Sequence, residues 1–332
     1  MLGPPVRVLI VDPIDPSGEA LLRSRGVEVL AAPDGHAGTV RRLAREADAV
    51  ITRSKLPDDI FEAAPGLRAV TIHGTGTDLV PLAAANASGV AVANLPGGNA
   101  QSVAEYCAMA MLMLARNIVP IMNAMRSRPW DEARALGAAA HEIAEMTAGI
   151  VGVGGIGSRL ARILRHGFGM RVLGHQRCLD RLPVEAEAAT LDHLLAESDF
   201  VVLACPLTPE THHLLDRGRF ALMKRSAWLV NVGRGPVVEE TALVEALRER
   251  RIAGAMLDVY EHYRIEPGHP LFALDNVLLT PHLSGMTRES RRRMGRAAAE
   301  ATLSLLAGER PPHLVNPEVW PKFRARFQCT PT

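Results

Sequence analysis

Gly149-Ile-Val-Gly-Val-Gly-Gly-Ile-Gly-Ser-Arg159 is the stretch whose reading decides the fold. An apolar run from Ala148 to Val153 enters the pattern Gly152-x-Gly154-x-x-Gly157, and a helix-period run, Ser158 to Arg165, leaves it. Gly152 permits a tight turn, Gly154 lets the backbone approach a pyrophosphate, and Gly157 lets the helix pack on its strand. Gly155 and Ile156 open the helix, where free N–H groups and the positive end of the helix dipole favour phosphate. Isolated glycine turns are common and carry little. The order strand, glycine turn, helix is the one a dinucleotide requires, and it makes dinucleotide binding the working reading.

The chain on both sides repeats the alternation. Val6–Val11, Val27–Leu30, Ala49–Ile51, Ala69–Ile72 and Val90–Val92 read as short buried strands with helical patterns between them. After the glycine loop come Arg171–His175, Phe200–Ala204, Trp228–Val232, Ala255–Leu257 and Val277–Thr280, again separated by helices, Leu191–Glu197 and Glu239–Arg248 among them. Alternating strands and helices imply parallel sheets covered on both faces, so the expected class is α/β with two doubly wound domains. Asn99–Asn117 is apolar on nearly every face and reads as a long buried helix, between domains or between subunits. Pro129-Trp130 is taken as the start of a loose, alanine-rich connection, and Leu283–Gly308 as mostly helix. The Pro-punctuated tail from there to Thr332 is expected to pack back on the first domain.

Bulk properties narrow the function. With 332 residues the chain exceeds one ordinary core. Apolar residues make up 48%, charged residues 22% and the net charge is +1, so neither a nucleic-acid nor a membrane surface is indicated. The arginines Arg288, Arg291, Arg292, Arg293 and Arg296 fall at helical spacing and read as a solvated face. Cys107, Cys178, Cys205 and Cys329 have no C-x-x-C spacing, so neither a disulfide framework nor a metal site is expected. No apolar run reaches the ~18–20 residues of a membrane span, and the opening residues do not read as a signal peptide; a cytoplasmic protein is expected.

In doubly wound sheets ligands collect at the carboxyl ends of the strands. Cys205-Pro206, Asn231, Arg234, Asp258 and His282 all fall there. Arg234, between two glycines, offers a permanently charged planar fork that matches a carboxylate. His282, after Pro281, exchanges a proton near neutrality. Either motif alone reads as a surface turn; together, after a nucleotide loop, they form a candidate site for hydride chemistry on a hydroxy or oxo acid.

At these residues the chain resembles the D-isomer-specific 2-hydroxyacid dehydrogenase family. The matching segments are Gly152–Gly157, Cys205-Pro-Leu-Thr208, Asn231-Val-Gly-Arg-Gly235, Leu257-Asp-Val259 and Thr280-Pro-His282, with His73–Asp78, Asn99–Glu105 and Val315–Val319 adding to them. The resemblance spans nearly the whole chain. It implies a flavodoxin-like substrate domain made of residues 1–98 and 286–332 and an inserted Rossmann cofactor domain, residues 99–285. It further implies a homodimer in which the long buried helix joins the interface, and a small-molecule 2-oxoacid or 2-hydroxyacid substrate. By position, Arg234 would clamp the substrate carboxylate and carbonyl oxygen and His282 would act as acid and base. Backbone N–H groups around Thr75 and Gly76 would hold the carboxylate, Ser54 would line the pocket, and Asp258 and Gly285 would lie at the nicotinamide end.

Two positions depart from the family. Its catalytic glutamate follows the Leu-Asp-Val strand by a few residues; with Asp258 and His269-Pro-Leu271 as anchors, Tyr263 occupies that place, Glu261 lies two residues early and Glu266 three late. Tyr263 as substitute, Glu266 brought in by a bent loop, and a site that has lost efficient catalysis all stand as readings. A nucleotide-sensing binding protein on the same scaffold is the alternative to an enzyme. Second, where an NAD enzyme places an acid about twenty residues after the glycine loop, this chain has Gln176-Arg177. Without that carboxylate a 2′-phosphate is not repelled, and Arg177 offers it a partner, which favours NADP over NAD. Gln176 on the ribose of NAD with Arg177 in solvent is the other reading.

Overall fold

Runs of β-branched and small apolar residues set the strands, and the computed structural model describes residues 5–327. Cys329 and the end of the tail lie outside the described residues. Among the described residues twelve strands form: Arg7–Ile10 (β1), Glu28–Ala31 (β2), Ala49–Thr52 (β3), Ala69–Ile72 (β4), Ala91–Ala93 (β5), Thr147–Val151 (β6), Arg171–His175 (β7), Glu187–Ala188 (β8), Phe200–Leu203 (β9), Trp228–Asn231 (β10), Gly254–Leu257 (β11) and Val277–Leu279 (β12). They make two separate parallel sheets. The chain divides into two units, one of Met1–Asn99 with Met286–Thr332 and one of Ala100–Gly285.

In the first unit the strand order is β2-β1-β3-β4-β5. Successive residues of each strand point to opposite faces. Val8, Ile10, Ala49, Ile51, Ala69 and Ala91 therefore meet one set of helices, and Leu9, Val50, Val70, Ile72 and Val92 meet the other. The first face is covered by Pro16–Ser24 and by Arg288–Leu306, which brings Met294, Ala298, Ala299 and Leu305. These two helices cross where Gly18 meets Gly295, and a Cβ on Gly18 would lie 2.4 Å from the Gly295 carbonyl oxygen. The arginines of Arg288–Leu306 are exposed, with Arg293 donating to the Gly98 carbonyl and Arg296 pairing with Glu300. The tail returns to the same unit: Asn316 accepts from Val92 N at 2.8 Å and donates to Asn86 and Val90.

In the second unit the order is β8-β7-β6-β9-β10-β11-β12, with the strand order reversing beside β6. That reversal opens the crevice in which doubly wound sheets take their ligands. Val151, Leu173, Val201, Leu203, Leu229 and Leu257 fill one face, and Ile150, Val172, Phe200, Val202, Val230 and Met256 the other. The long apolar helix runs from Ala100 to Ala115 and buries Val103, Cys107, Ala110 and Met111 on the second face. Met109 on its far side is 41% exposed.

One expectation is corrected here. The segment after Pro129 is not a loose connection: Trp130–Ala135 is a helix, continued by a tighter turn over Leu136–Ala139. Pro129 fits immediately before a helix because its missing N–H is not needed there, and Asp131 and Glu132 favour the positive end of the helix dipole. Ile118–Ser127 is a further helix of this region. No single helix among the described residues is long and apolar enough to cross a membrane.

Candidate active site

The glycine loop has the form its sequence requires. Gly152 sits at φ 92°, and a Cβ there would lie 2.6 Å from the Cys205 main chain; its N–H donates to the His175 carbonyl at 2.8 Å. Gly157 would drive a Cβ to 2.5 Å from the Gly152 carbonyl oxygen, which is the close helix–strand contact. Gly154 differs from both, because a Cβ there meets nothing within 4 Å. It is exposed, as is Gly155, and it precedes the helix Gly155–Arg162. Two glycines are thus needed by the fold and the third keeps a surface clear, which fits a pyrophosphate on the helix N-terminus.

Beside this loop Cys205 is buried, and burial pushes its thiol up to about 11, so it packs as an inert group. Pro206 next to it is exposed. At the end of β7 the Gln176 amide donates to the Cys178 carbonyl at 2.8 Å, and Arg177 is exposed.

Arg234 follows β10 on a turn built by Asn231. The buried Asn231 side chain accepts from Gly233 N at 3.1 Å and donates to the Arg234 carbonyl at 3.2 Å. The flanking glycines are compulsory: a Cβ on Gly233 would lie 2.8 Å from the Cys205 carbonyl oxygen, and one on Gly235 1.6 Å from that of Tyr260. The guanidinium donates to the Gly233 carbonyl at 2.9 Å, which directs its fork.

His282 follows β12 in the left-handed region, at φ 53°, a conformation that a β-carbon makes costly and that needs support from its surroundings. Asp258 provides much of that support. It is fully buried at the end of β11, and its carboxylate accepts from Thr280 Oγ1 at 2.7 Å, Leu283 N at 2.8 Å and Ser284 N at 2.9 Å. Since Thr280 spends its proton on Asp258, the 2.5 Å contact between Tyr106 and Thr280 has the Tyr106 hydroxyl as donor. Burial raises the Tyr106 phenol above its ordinary range and keeps it a neutral donor. Tyr260 adds a bond from its hydroxyl to the Thr280 carbonyl at 2.8 Å.

The loop after β11 separates the three candidates for the histidine's neighbour. The Tyr263 ring meets the His282 ring edge to face, with centroids 5.8 Å apart. Both line an open cavity of about 560 Å³ together with Tyr260, Arg264, Phe272 and Thr280. Glu261 turns away and meets His213, Oε1 to Nε2, at 3.2 Å. Glu266 is exposed.

In the first unit Ser54 is held by Asp12, which accepts from Ser54 Oγ at 2.6 Å and from the main-chain N–H groups of Arg53 and Ser54 at 2.7 and 2.8 Å. Thr75 is exposed, and its carbonyl accepts from Asn94 Nδ2 at 2.7 Å. His73, two residues earlier, is buried with neither ring nitrogen hydrogen-bonded among the described residues.

Sequence reading passed over Tyr106, although it directly follows Glu105 in one of the quoted segments. It also missed the structural use of Asn231, Thr280 and Asp258 as holders of the Arg234 and His282 loops. Their signal was position alone, each polar and each at or just beyond a strand end.

Residues 108–284 match the family described as D-isomer specific 2-hydroxyacid dehydrogenase, NAD binding domain. A glyoxylate reductase of Aeropyrum pernix is 41% identical over 293 residues, covering 85% of this chain and 86% of its own. An NAD-dependent formate dehydrogenase of Staphylococcus aureus, solved with NAD, superposes with a TM-score of 0.84 at 27% identity over 93% of this chain and 99% of its own. An NADPH-dependent glyoxylate/hydroxypyruvate reductase of Sinorhizobium meliloti, solved with NADP and malonate, gives 0.81 at 26% identity over 94% and 97%. A glycine loop shaped for a dinucleotide, and a likeness that runs through both units, lead to one assignment: the chain belongs to the D-isomer specific 2-hydroxyacid dehydrogenases, enzymes that work with a nicotinamide cofactor.

Proposed function

We propose that this chain reduces a small 2-oxoacid to the D-2-hydroxyacid with NADPH, with glyoxylate first among the substrates to test because the relatives near 40% identity are glyoxylate reductases. The Gly152–Gly157 loop would hold the pyrophosphate of the dinucleotide, whose reduced nicotinamide would supply the hydride. Arg234 holds the carboxylate and the carbonyl oxygen with its fork, and its fixed charge stabilises the negative charge that develops on that oxygen. His282 gives the oxygen its proton and takes it back in the reverse direction. Ser54 and the main-chain N–H groups around Thr75 and Gly76 are the substrate-binding candidates of the first unit. Asp258 positions the His282 loop, and Gly285 follows it.

The observation that carries the assignment of partners is the edge-to-face contact of Tyr263 with His282. A neutral phenol orients the imidazole without the strong pKa elevation a carboxylate brings. Steady-state reduction of glyoxylate and hydroxypyruvate tests this: Tyr263→Ala, which removes the ring that meets His282, should lower kcat about tenfold, and Glu266→Gln should leave it within about twofold. The reverse ranking would transfer the role to Glu266. Absence of NAD(P)H consumption on a broad 2-oxoacid panel, with cofactor binding intact, would replace the enzyme by a nucleotide-sensing protein.

The preference for NADPH rests on Gln176, whose amide is tied to the Cys178 carbonyl and brings no negative charge, and on the exposed Arg177. A tenfold higher kcat/KM with NADH would end it. Homodimer formation is part of the same reading. Ile118, Met122, Met125 and Trp130 lie exposed close in sequence after the long apolar helix, an apolar surface of the kind a second subunit covers.

A further inference from the structure

We propose that His212, His213 and Glu261 form a binding site for a divalent transition-metal ion of the zinc class, separate from Arg234 and His282. The cysteine pattern argued against metal because it was read for one contiguous motif; this set comes from two loops far apart in sequence. One candidate ligand atom from each residue lies within 4.8 Å of the other two. A tetrahedral ion with bonds of about 2.0–2.2 Å needs ligand atoms about 3.3–3.5 Å apart, and His213 Nε2 already stands 3.2 Å from Glu261 Oε1. The small closing movement falls to His212, whose side chain is exposed.

Backbone conformation explains how two consecutive histidines serve one site. In an extended chain neighbouring side chains point to opposite sides. His213 is in the left-handed region at φ 49°, and the two imidazoles stack with centroids 3.9 Å apart. The segment is anchored on both sides: His212 N donates to the Thr208 carbonyl at 2.9 Å, His213 N to that of Pro236 at 2.8 Å, and Leu215 N to that of Val237 at 3.0 Å. The Glu261 segment is fixed as well, because its N–H donates to Glu240 Oε2 at 3.2 Å and Gly235 packs against the Tyr260 carbonyl.

A second observation points to a cation. Glu261 Oε2 is buried and has no hydrogen-bond partner among the described residues. A buried acceptor without a donor is destabilising, and His213 satisfies only the other oxygen. A divalent ion between the carboxylate and the imidazoles compensates the charge on both oxygens. Two imidazoles and one carboxylate suit zinc, cobalt or nickel, whereas magnesium and calcium prefer all-oxygen sites. Occupancy would fasten the loop that carries Tyr263 to the loop after β9.

The test is a zinc titration by calorimetry on the full chain, untagged and stripped with a chelator, in a Cys178→Ser background because Cys178 is exposed. One zinc per chain with a dissociation constant at or below about 10 µM is expected, with no heat from magnesium. His213→Ala and Glu261→Gln should each weaken binding at least about tenfold, and so should His212→Ala, whose exposed side chain puts folding at little risk. Cobalt should give a visible absorption band that zinc abolishes. Equal zinc affinity in parent and all three variants, or no uptake by the parent at 100 µM zinc, would overturn the site. Neither result depends on turnover, so the reductase reading stands or falls separately.

Discussion

Asp258 has the least visible position and the widest reach of the polar residues near His282. Its carboxylate holds Thr280, Leu283 and Ser284, and so brackets His282 on both sides. In Asp258→Asn one acceptor becomes an amide donor facing another donor. That should cost about 1–3 kcal/mol in urea unfolding and lower kcat about a hundredfold, since a shift of the proton donor of order 1 Å costs that much. Unchanged kcat would show that the loop keeps His282 in place without it. His73 gives a pH prediction. Burial is the main cause that lowers its pKa from 6.5 to about 4, with Arg53 adding to the effect. The unfolded chain therefore takes up this proton first, so the stability is fully present above pH 6.5 and is lost as pH falls towards 4. The loss is about 3 kcal/mol for a shift of this size, and His73→Leu should not show it. Parallel stability–pH curves for the two proteins between pH 7 and 4 would refute the assignment.

The glycine loop separates the needs of the fold from those of the ligand. Gly157→Ala forces a methyl to 2.5 Å from the Gly152 carbonyl oxygen, and should lower stability by roughly 2 kcal/mol or more through overpacking. Gly154→Ala has open space and an ordinary φ of −80°. It should leave Tm within a few degrees while raising the Kd for NADPH at least about tenfold, by fluorescence titration. Equal loss of stability in both variants would reject this division of roles. These roles were legible because glycine in a strand–turn–helix setting has few physical reasons to exist. The strands were legible for a similar reason, since runs buried on both faces leave little doubt. The helix after Pro129 was missed because proline and alanine were read as loosening the chain, although proline just before a helix start is favourable. The Tyr106–Thr280–Asp258 chain was invisible because its members lie 174 and 22 residues apart in sequence, and only the packing of the Ala100–Ala115 helix on the sheet brings them together.

At the scale of the molecule, the surface after the long apolar helix carries the prediction. Met122 and Met125 are 48% and 50% exposed and Trp130 57%. Met122→Glu with Met125→Glu should convert the proposed dimer to monomer in sedimentation equilibrium, because charges placed in a desolvated interface are not compensated. A monomeric parent would remove the dimer from the reading. The arrangement of the chain has a consequence of another kind, in the order of synthesis. One face of the first unit's sheet is covered by Met294, Ala298, Ala299, Leu305 and Phe323, all of them translated after the whole of the second unit. A nascent chain therefore carries β1–β5 with this face covered only in part, by Pro16–Ser24, while Ala100–Gly285, which is continuous, completes its own core. Domains made of one continuous segment fold as they emerge, whereas this one must wait for its last helices. The residues that leave the ribosome first reach their final packing last, and the interval between is when the chain is most exposed to aggregation.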